Sequence, residues 1–238
     1  MNASNHIFSQ LLYVADALKA DTSLQELTLY STPIDTDGAS ALGVALSMNR
    51  VLTKLTLADN GLGFAGATAL AQTLPKWSIH ALILGYGMAS SAAIAPECIC
   101  NLIFIIAFIN FSSWNKIGST GATAIAGAVK SHPTLTALSL PVNEIGDVGA
   151  AAVAEVLTTN TVVTFVDIHE NGIGDVGATA LASALRVNTG LHALKMSDNN
   201  IGTIGATALA QAFTVNESLR VLLSNVNVMS SMLYFDFF

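Results

Sequence analysis

The chain has 238 residues, 11% charged and 52% apolar, with 9 lysines and arginines against 16 aspartates and glutamates, for a net charge of −7. So few cations in an acidic chain exclude a phosphate-binding surface, and with it nucleic acid as a partner. The two cysteines, Cys98 and Cys100, are too close in sequence to staple a loop and have no His or Cys companions at zinc-site spacing, so neither a disulfide framework nor a metal is expected.

The first twenty residues lack the basic segment and continuous apolar core of a secretory signal, which points to a cytoplasmic chain. Residues 10–23 read as a half-cap, the helical half of a unit without its strand: Val14 and Leu18 hold the places that Leu42 and Leu46 hold 28 residues later. From Leu24 to Asn227 the pattern L-x-x-L-x-L-x-x-N-x-I-G-x-x-G-A-x-x-L-A-x-x-L returns with a period of 28, its first apolar position falling at Leu24, Leu52, Leu135, Val163, Leu191 and Leu219. A period of this length makes residues 1–238 one stacked solenoid domain instead of two compact ones.

Each unit changes its own periodicity part-way. In Leu191-His-Ala-Leu-Lys-Met196 apolar and polar residues alternate, as in a half-buried strand, whereas Ala206, Leu209, Ala210 and Phe213 mark one stripe of a helix. Strands are therefore predicted near 26–30, 54–58, 81–85, 108–112, 137–141, 165–169, 193–197 and 221–224. Helices are predicted near 10–20, 38–48, 65–74, 120–131, 148–159, 176–187 and 204–214. Between strand and helix stands an Asn (Asn60, Asn115, Asn143, Asn171, Asn199), whose amide can satisfy turn backbone groups that burial would leave unpaired. Ser119, Asp147, Asp175 and Thr203 stand where N-caps belong. A second Asn closes the helix at Asn49, Asn160, Asn188 and Asn216, a residue type that accepts the left-handed C-cap conformation.

The departures are local. Thr32-Pro33 replaces the turn Asn of the first unit, and Pro75 ends the helix of the second. Across Met88–Trp114 the repeat phrasing disappears, yet counting back from Leu135 by whole periods still reaches 79, so residues 79–106 read as one degenerate unit with the next strand supplied by Ile106, Ile109 and Phe111. The apolar run Ile99–Phe111 is too short for a spanning helix, which needs about 20 residues, and burial in the solenoid is expected instead of a membrane. Residues 228–238 form an irregular tail with no closing helix, which points to a fragment of a longer protein.

The L-x-x-L-x-L-x-x-N phrase at this period resembles leucine-rich repeats of the ribonuclease-inhibitor type, and the N-x-I-G-x-x-G-A phrasing is most similar to repeats of NOD-like receptors. The resemblance implies an α/β right-handed horseshoe, with a parallel sheet on the concave side, helices on the convex side, and protein partners bound along the concave side. Ran GTPase-activating protein is built from similar repeats, so regulation of a small GTPase is the alternative function. Only Arg50, Arg186 and Arg220 could serve as an inserted arginine, and the first two fall at helix ends.

If the leucines point inward, the residues between them face the concave side. Most are small, but Tyr30 and Lys54 near the start, and Phe165, Asp167, His169, His192 and Lys195 near the end, are aromatic or charged. These are the candidate partner-binding residues, with Phe165 the expected anchor. An Asp167–His169 pair could support proton transfer, but no nucleophile accompanies it. The repeated Gly-x-x-Gly lacks the Gly-Lys-Ser/Thr of a phosphate loop and reads as turn chemistry. The expectation is a non-enzymatic protein-interaction module with no cofactor and no small-molecule substrate.

Overall fold

The computed structural model describes residues 3–85 and 115–223. Helix α1 (Ala3–Ala20) opens the chain, and seven strands then alternate with six helices. In order these are β1 (Glu26–Tyr30), α2 (Thr36–Met48), β2 (Lys54–Ala58), α3 (Gly63–Thr73), β3 (Ala81–Ile83), α4 (Gly118–Val129), β4 (Ala137–Ser139), α5 (Gly146–Thr159), β5 (Phe165–Asp167), α6 (Asp175–Leu185), β6 (Ala193–Lys195), α7 (Thr203–Phe213) and β7 (Val221–Leu223). The strands form one parallel sheet in chain order, and each helix packs on the next. Strands stand about 4.8 Å apart and packed helices about 8–10 Å apart, so stacking curves with the sheet inside. This is a leucine-rich-repeat α/β solenoid.

One side of the sheet and the inner stripes of the helices make the core. Leu55, Leu82, Leu138, Val166 and Leu194 form one buried row, and Leu57, Leu84, Leu140, Ile168 and Met196 a second. The alternation read from the sequence therefore assigns the inward leucines as they stand.

Two asparagine rows tie unit to unit. In the first, the Asn171 amide donates to the carbonyls of Leu140 and His169 at 2.9 Å, while its Oδ1 accepts from the backbone N–H of Asn143 at 2.9 Å. Asn199 does the same one unit later, donating to Ile168 and accepting from Asn171 and Ile173. In the second row, Asn188 donates to the Leu157 carbonyl at 2.7 Å and accepts from the N–H of Leu191 at 2.7 Å. The left-handed C-cap expected at these positions is not adopted: Asn49 and Asn160 have φ of −73° and −87° and are extended, because the amide itself closes the helix. The left-handed non-glycine residues among those described are instead Ser31, Asp59, Lys116, Val142, Glu144, Glu170 and Asp198, in the strand-to-helix turns. Two units depart from the second row. Trp77 takes the Asn place and donates its indole N–H to the Gly43 carbonyl, and His132 takes it one described unit later, its Nδ1 accepting from Leu135 N–H at 3.0 Å.

Capping also differs from expectation. Asp147 and Asp175 lie inside the first turns of α5 and α6, and each caps the following helix. Asp147 Oδ1 accepts from the N–H groups of Gly174 and Gly177 at 2.7 and 2.9 Å, and Asp175 Oδ1 from those of Gly202 and Gly205 at 2.8 and 2.7 Å. Thr203 and Ser119 are likewise first-turn residues and not N-caps.

The strand expected at 108–112 and the burial expected for Ile99–Phe111 fall outside the described residues. Among the described residues β3 pairs directly with β4 in the register Ala81↔Ala137, Leu82↔Leu138 and Ile83↔Ser139. Asn115 completes the unit that β3 begins, donating to the carbonyls of Leu84 at 3.0 Å and Leu57, and accepting from Asn60 N–H at 3.1 Å. The degenerate unit expected over residues 79–106 falls mostly outside the described residues. Among the described residues no helix is long and apolar enough to cross a membrane.

Candidate interaction face

The sheet side turned away from the core is built by ladders that cross all the strands. Ala81, Ala137, Phe165 and Ala193 make one, with Val221 packed against its end. The next runs through Ile83, Ser139, Asp167, Lys195 and Leu223. Phe165 is flanked on both sides by alanines, which leave room for its ring, and Lys195 Nζ lies 5.9 Å from the ring centroid. At that distance a cation is attracted by the ring's quadrupole.

Asp167 sits directly across from Lys195 in the register and accepts a contact from His169 Nδ1 at 2.7 Å. Burial lowers the His169 pKa, but the hydrogen bond to Asp167 and its charge, with Glu170 adding and Lys195 opposing, carry it above the ordinary histidine value. The structure thus brings four candidates, Phe165, Asp167, His169 and Lys195, into one cluster on β5 and β6. It separates the other three. Tyr30 and Lys54 lie on β1 and β2, with β3 and β4 intervening, and Lys54 Nζ stands 3.3 Å from Glu26. His192 precedes β6, its N–H donating to Thr164 at 2.8 Å at the strand start, whereas His169 follows the end of β5.

Exposure divides them again. Tyr30 is 49% exposed, whereas Phe165, Asp167, Lys195 and Lys54 are buried at 9, 3, 5 and 7%, and His169 and His192 are intermediate. An open concave wall of contact side chains is therefore not what the residues of β2, β5 and β6 present. Asp167 at the end of β5 and His169 just after it are paired, a proton could pass between them, and among the described residues no group of three or more His, Cys, Asp or Glu could hold a metal ion.

A family model described as "Leucine Rich repeat" matches residues 49–71, 113–126, 131–154, 159–182 and 187–210. These segments are similar to leucine-rich repeats. No curated protein matches the sequence. Among solved structures, leiomodin-1 actin-binding site 2 is similar at 16% identity with a TM-score of 0.48, over 69% of this chain and 80% of that one. The tropomodulin C-terminal domain of Caenorhabditis elegans is similar at 12% identity with a TM-score of 0.36, over 93% of this chain and 84% of that one.

Proposed function

We propose that this leucine-rich-repeat chain is a cytoplasmic, non-enzymatic module that holds a protein partner against the sheet side, with β5–β6 as its centre. One contrast supports the reading. Positions that serve the stack, the inward leucines and the turn asparagines, recur from unit to unit, while the outward ladder positions run Glu26, Lys54, Ala81, Ala137, Phe165, Ala193 and change chemistry along the chain. Side chains that the fold leaves free to vary are where recognition is built. Phe165 supplies an aromatic anchor, Lys195 and Asp167 supply charge beneath it, and Tyr30, His169 and His192 supply the more accessible polar rim. Residues 1–238 act here as one domain, the half-cap 10–23 closing its start.

A photo-crosslinking amino acid at position 30 or 169 tests the reading in cells. Adducts with another protein are expected from both sites. Phe165→Ala/Lys195→Glu, once shown to melt with the parent, should reduce the adducts; undiminished adducts would remove support for the sheet side.

A further inference from the structure

The helix side carries a second surface that owes nothing to the sheet ladders. Val148, Val176 and Ile204 occupy the same position, in the first turns of α5, α6 and α7, and are 65, 71 and 71% exposed. The helices are neighbours, and the Asp147 and Asp175 caps join their first turns directly, so the three side chains stand in a row with steps of about 8–10 Å. Single exposed apolar residues are ordinary on a protein surface, but repetition at one register position is not. Neither the fold nor helix propensity asks for them. The same position holds Asp37, Ala65 and Thr120 in α2, α3 and α4, and β-branched residues are mediocre helix formers.

The charges around the row decide what it fits. Among the described residues the strand-to-helix turns on this edge carry exposed Glu144, Glu170 and Asp198 in the same three units, and Asp35 earlier, against one exposed cation, Lys116. The opposite edge, where helices lead back to strands, carries Arg50, Lys76, Lys130, Arg186 and Arg220. This polarity suits the helix dipoles, whose positive ends lie at the acidic edge. It also sets the sign of a partner, because the exposed charges nearest the row are acidic.

We infer that Val148, Val176 and Ile204, flanked by Glu144, Glu170 and Asp198, form a docking surface for a basic amphipathic helix of another protein. Its apolar stripe lies across the row, and its lysines or arginines meet the acidic turns. The arrangement is that of helix-on-surface recognition, in which apolar anchors give affinity and charge gives orientation. It stands apart from the sheet-side reading, and either can fail without the other.

The probe is an 18-residue synthetic peptide of leucine and lysine with a helical apolar stripe, followed by fluorescence anisotropy against the full chain. Saturable binding that weakens as salt is raised is expected. Val148→Ser/Val176→Ser/Ile204→Ser should weaken it at least tenfold without shifting the melting curve, since all three side chains are exposed. Glu144→Lys/Glu170→Lys should weaken it similarly and allow the leucine–glutamate version of the peptide to bind. Lysine is tolerated there, as Lys116 already adopts the same left-handed turn conformation with φ of 46°. Equal binding of the two peptides to the parent, or binding unchanged in the serine variant, would overturn the inference. So would concentration-dependent dimers of the parent that the serine variant abolishes, because the occupant would then be a second copy.

Discussion

Asn171 shows how much one side chain can hold at a turn that the solenoid buries. Its amide group serves four backbone partners, three in the preceding unit's turn and one in its own, so Asn171→Leu leaves the carbonyls of Leu140 and His169 and the N–H groups of Asn143 and Ile145 without it. The expected loss is about 1–3 kcal/mol in urea denaturation, the cost of stranding buried polar groups. Gly177→Val should also destabilise, since even its Cβ would meet Asp147 Oδ1 and Ile173 Cγ2 at 2.8 Å and Ala150 Cβ at 2.9 Å. Either variant melting with the parent would contradict these contacts. His132 makes a different prediction because it does an asparagine's work with a titratable ring. Burial lowers its pKa below the ordinary value of 6.5, so the unfolded chain takes up this proton before the folded chain does. Its contribution to stability is thus complete above about pH 6.5 and declines as pH falls below that. His132→Asn keeps the acceptor and removes the titration. Compared at pH 8 and pH 5, the parent should lose more stability than the variant, and parallel losses would refute the role. His169 shifts the opposite way, its contribution present below its unfolded pKa and lost as pH rises through the folded one, but it is common to both proteins and cancels.

At the scale of elements, the periodicity change within each unit was legible and nearly every described strand and helix falls where it was predicted. What one unit's sequence does not contain is its lateral neighbour. Asp147 and Asp175 stand at helix starts, where capping by sequence rules would be within the same helix, yet stacking puts the next helix's first N–H groups in reach instead. Asp175→Ala should therefore act one unit away from the substitution, costing about 1–2 kcal/mol as for a lost cap. Hydrogen exchange locates it: the Gly202 and Gly205 amides should exchange faster while the first turn of α5 keeps its protection. Faster exchange confined to α6 would mean that the cap is internal after all. The candidate cluster has the same limitation. Alternation correctly put Phe165, Asp167 and Lys195 on one side of the sheet, and the 28-residue period put them on adjacent strands, but neither says how accessible a side is. Their burial is visible only in three dimensions.

For the whole molecule, the ambiguous stretch was ambiguous for a numerical reason. An insertion equal in length to one period leaves the downstream phase intact, so phase cannot separate a degenerate unit from a segment inserted in one turn. Among the described residues β4 stands directly beside β3, at Ala81↔Ala137, so a shortened turn is a direct test. The other turns run Leu140-Pro-Val-Asn143, Ile168-His-Glu-Asn171 and Met196-Ser-Asp-Asn199, with two residues between the last inward apolar residue and the asparagine. Removing residues 87–114 would join Tyr86 to Asn115 and write Leu84-Gly-Tyr-Asn115, the same spacing. The asparagine row gives a further reason to expect tolerance. Asn171 and Asn199 each accept from the turn asparagine one unit back, whereas Asn143 Oδ1 has no partner among the described residues, so the row is interrupted between Asn115 and Asn143. With the short turn restored, Asn115 N–H can approach Asn143 Oδ1 as Asn143 N–H approaches Asn171. The deletion variant should keep the parent's far-UV circular dichroism shape and one cooperative urea transition, with a midpoint no lower than the parent's. A repeat stack transmits stability only through neighbouring units, so loss of cooperativity would place part of 87–114 within the stack.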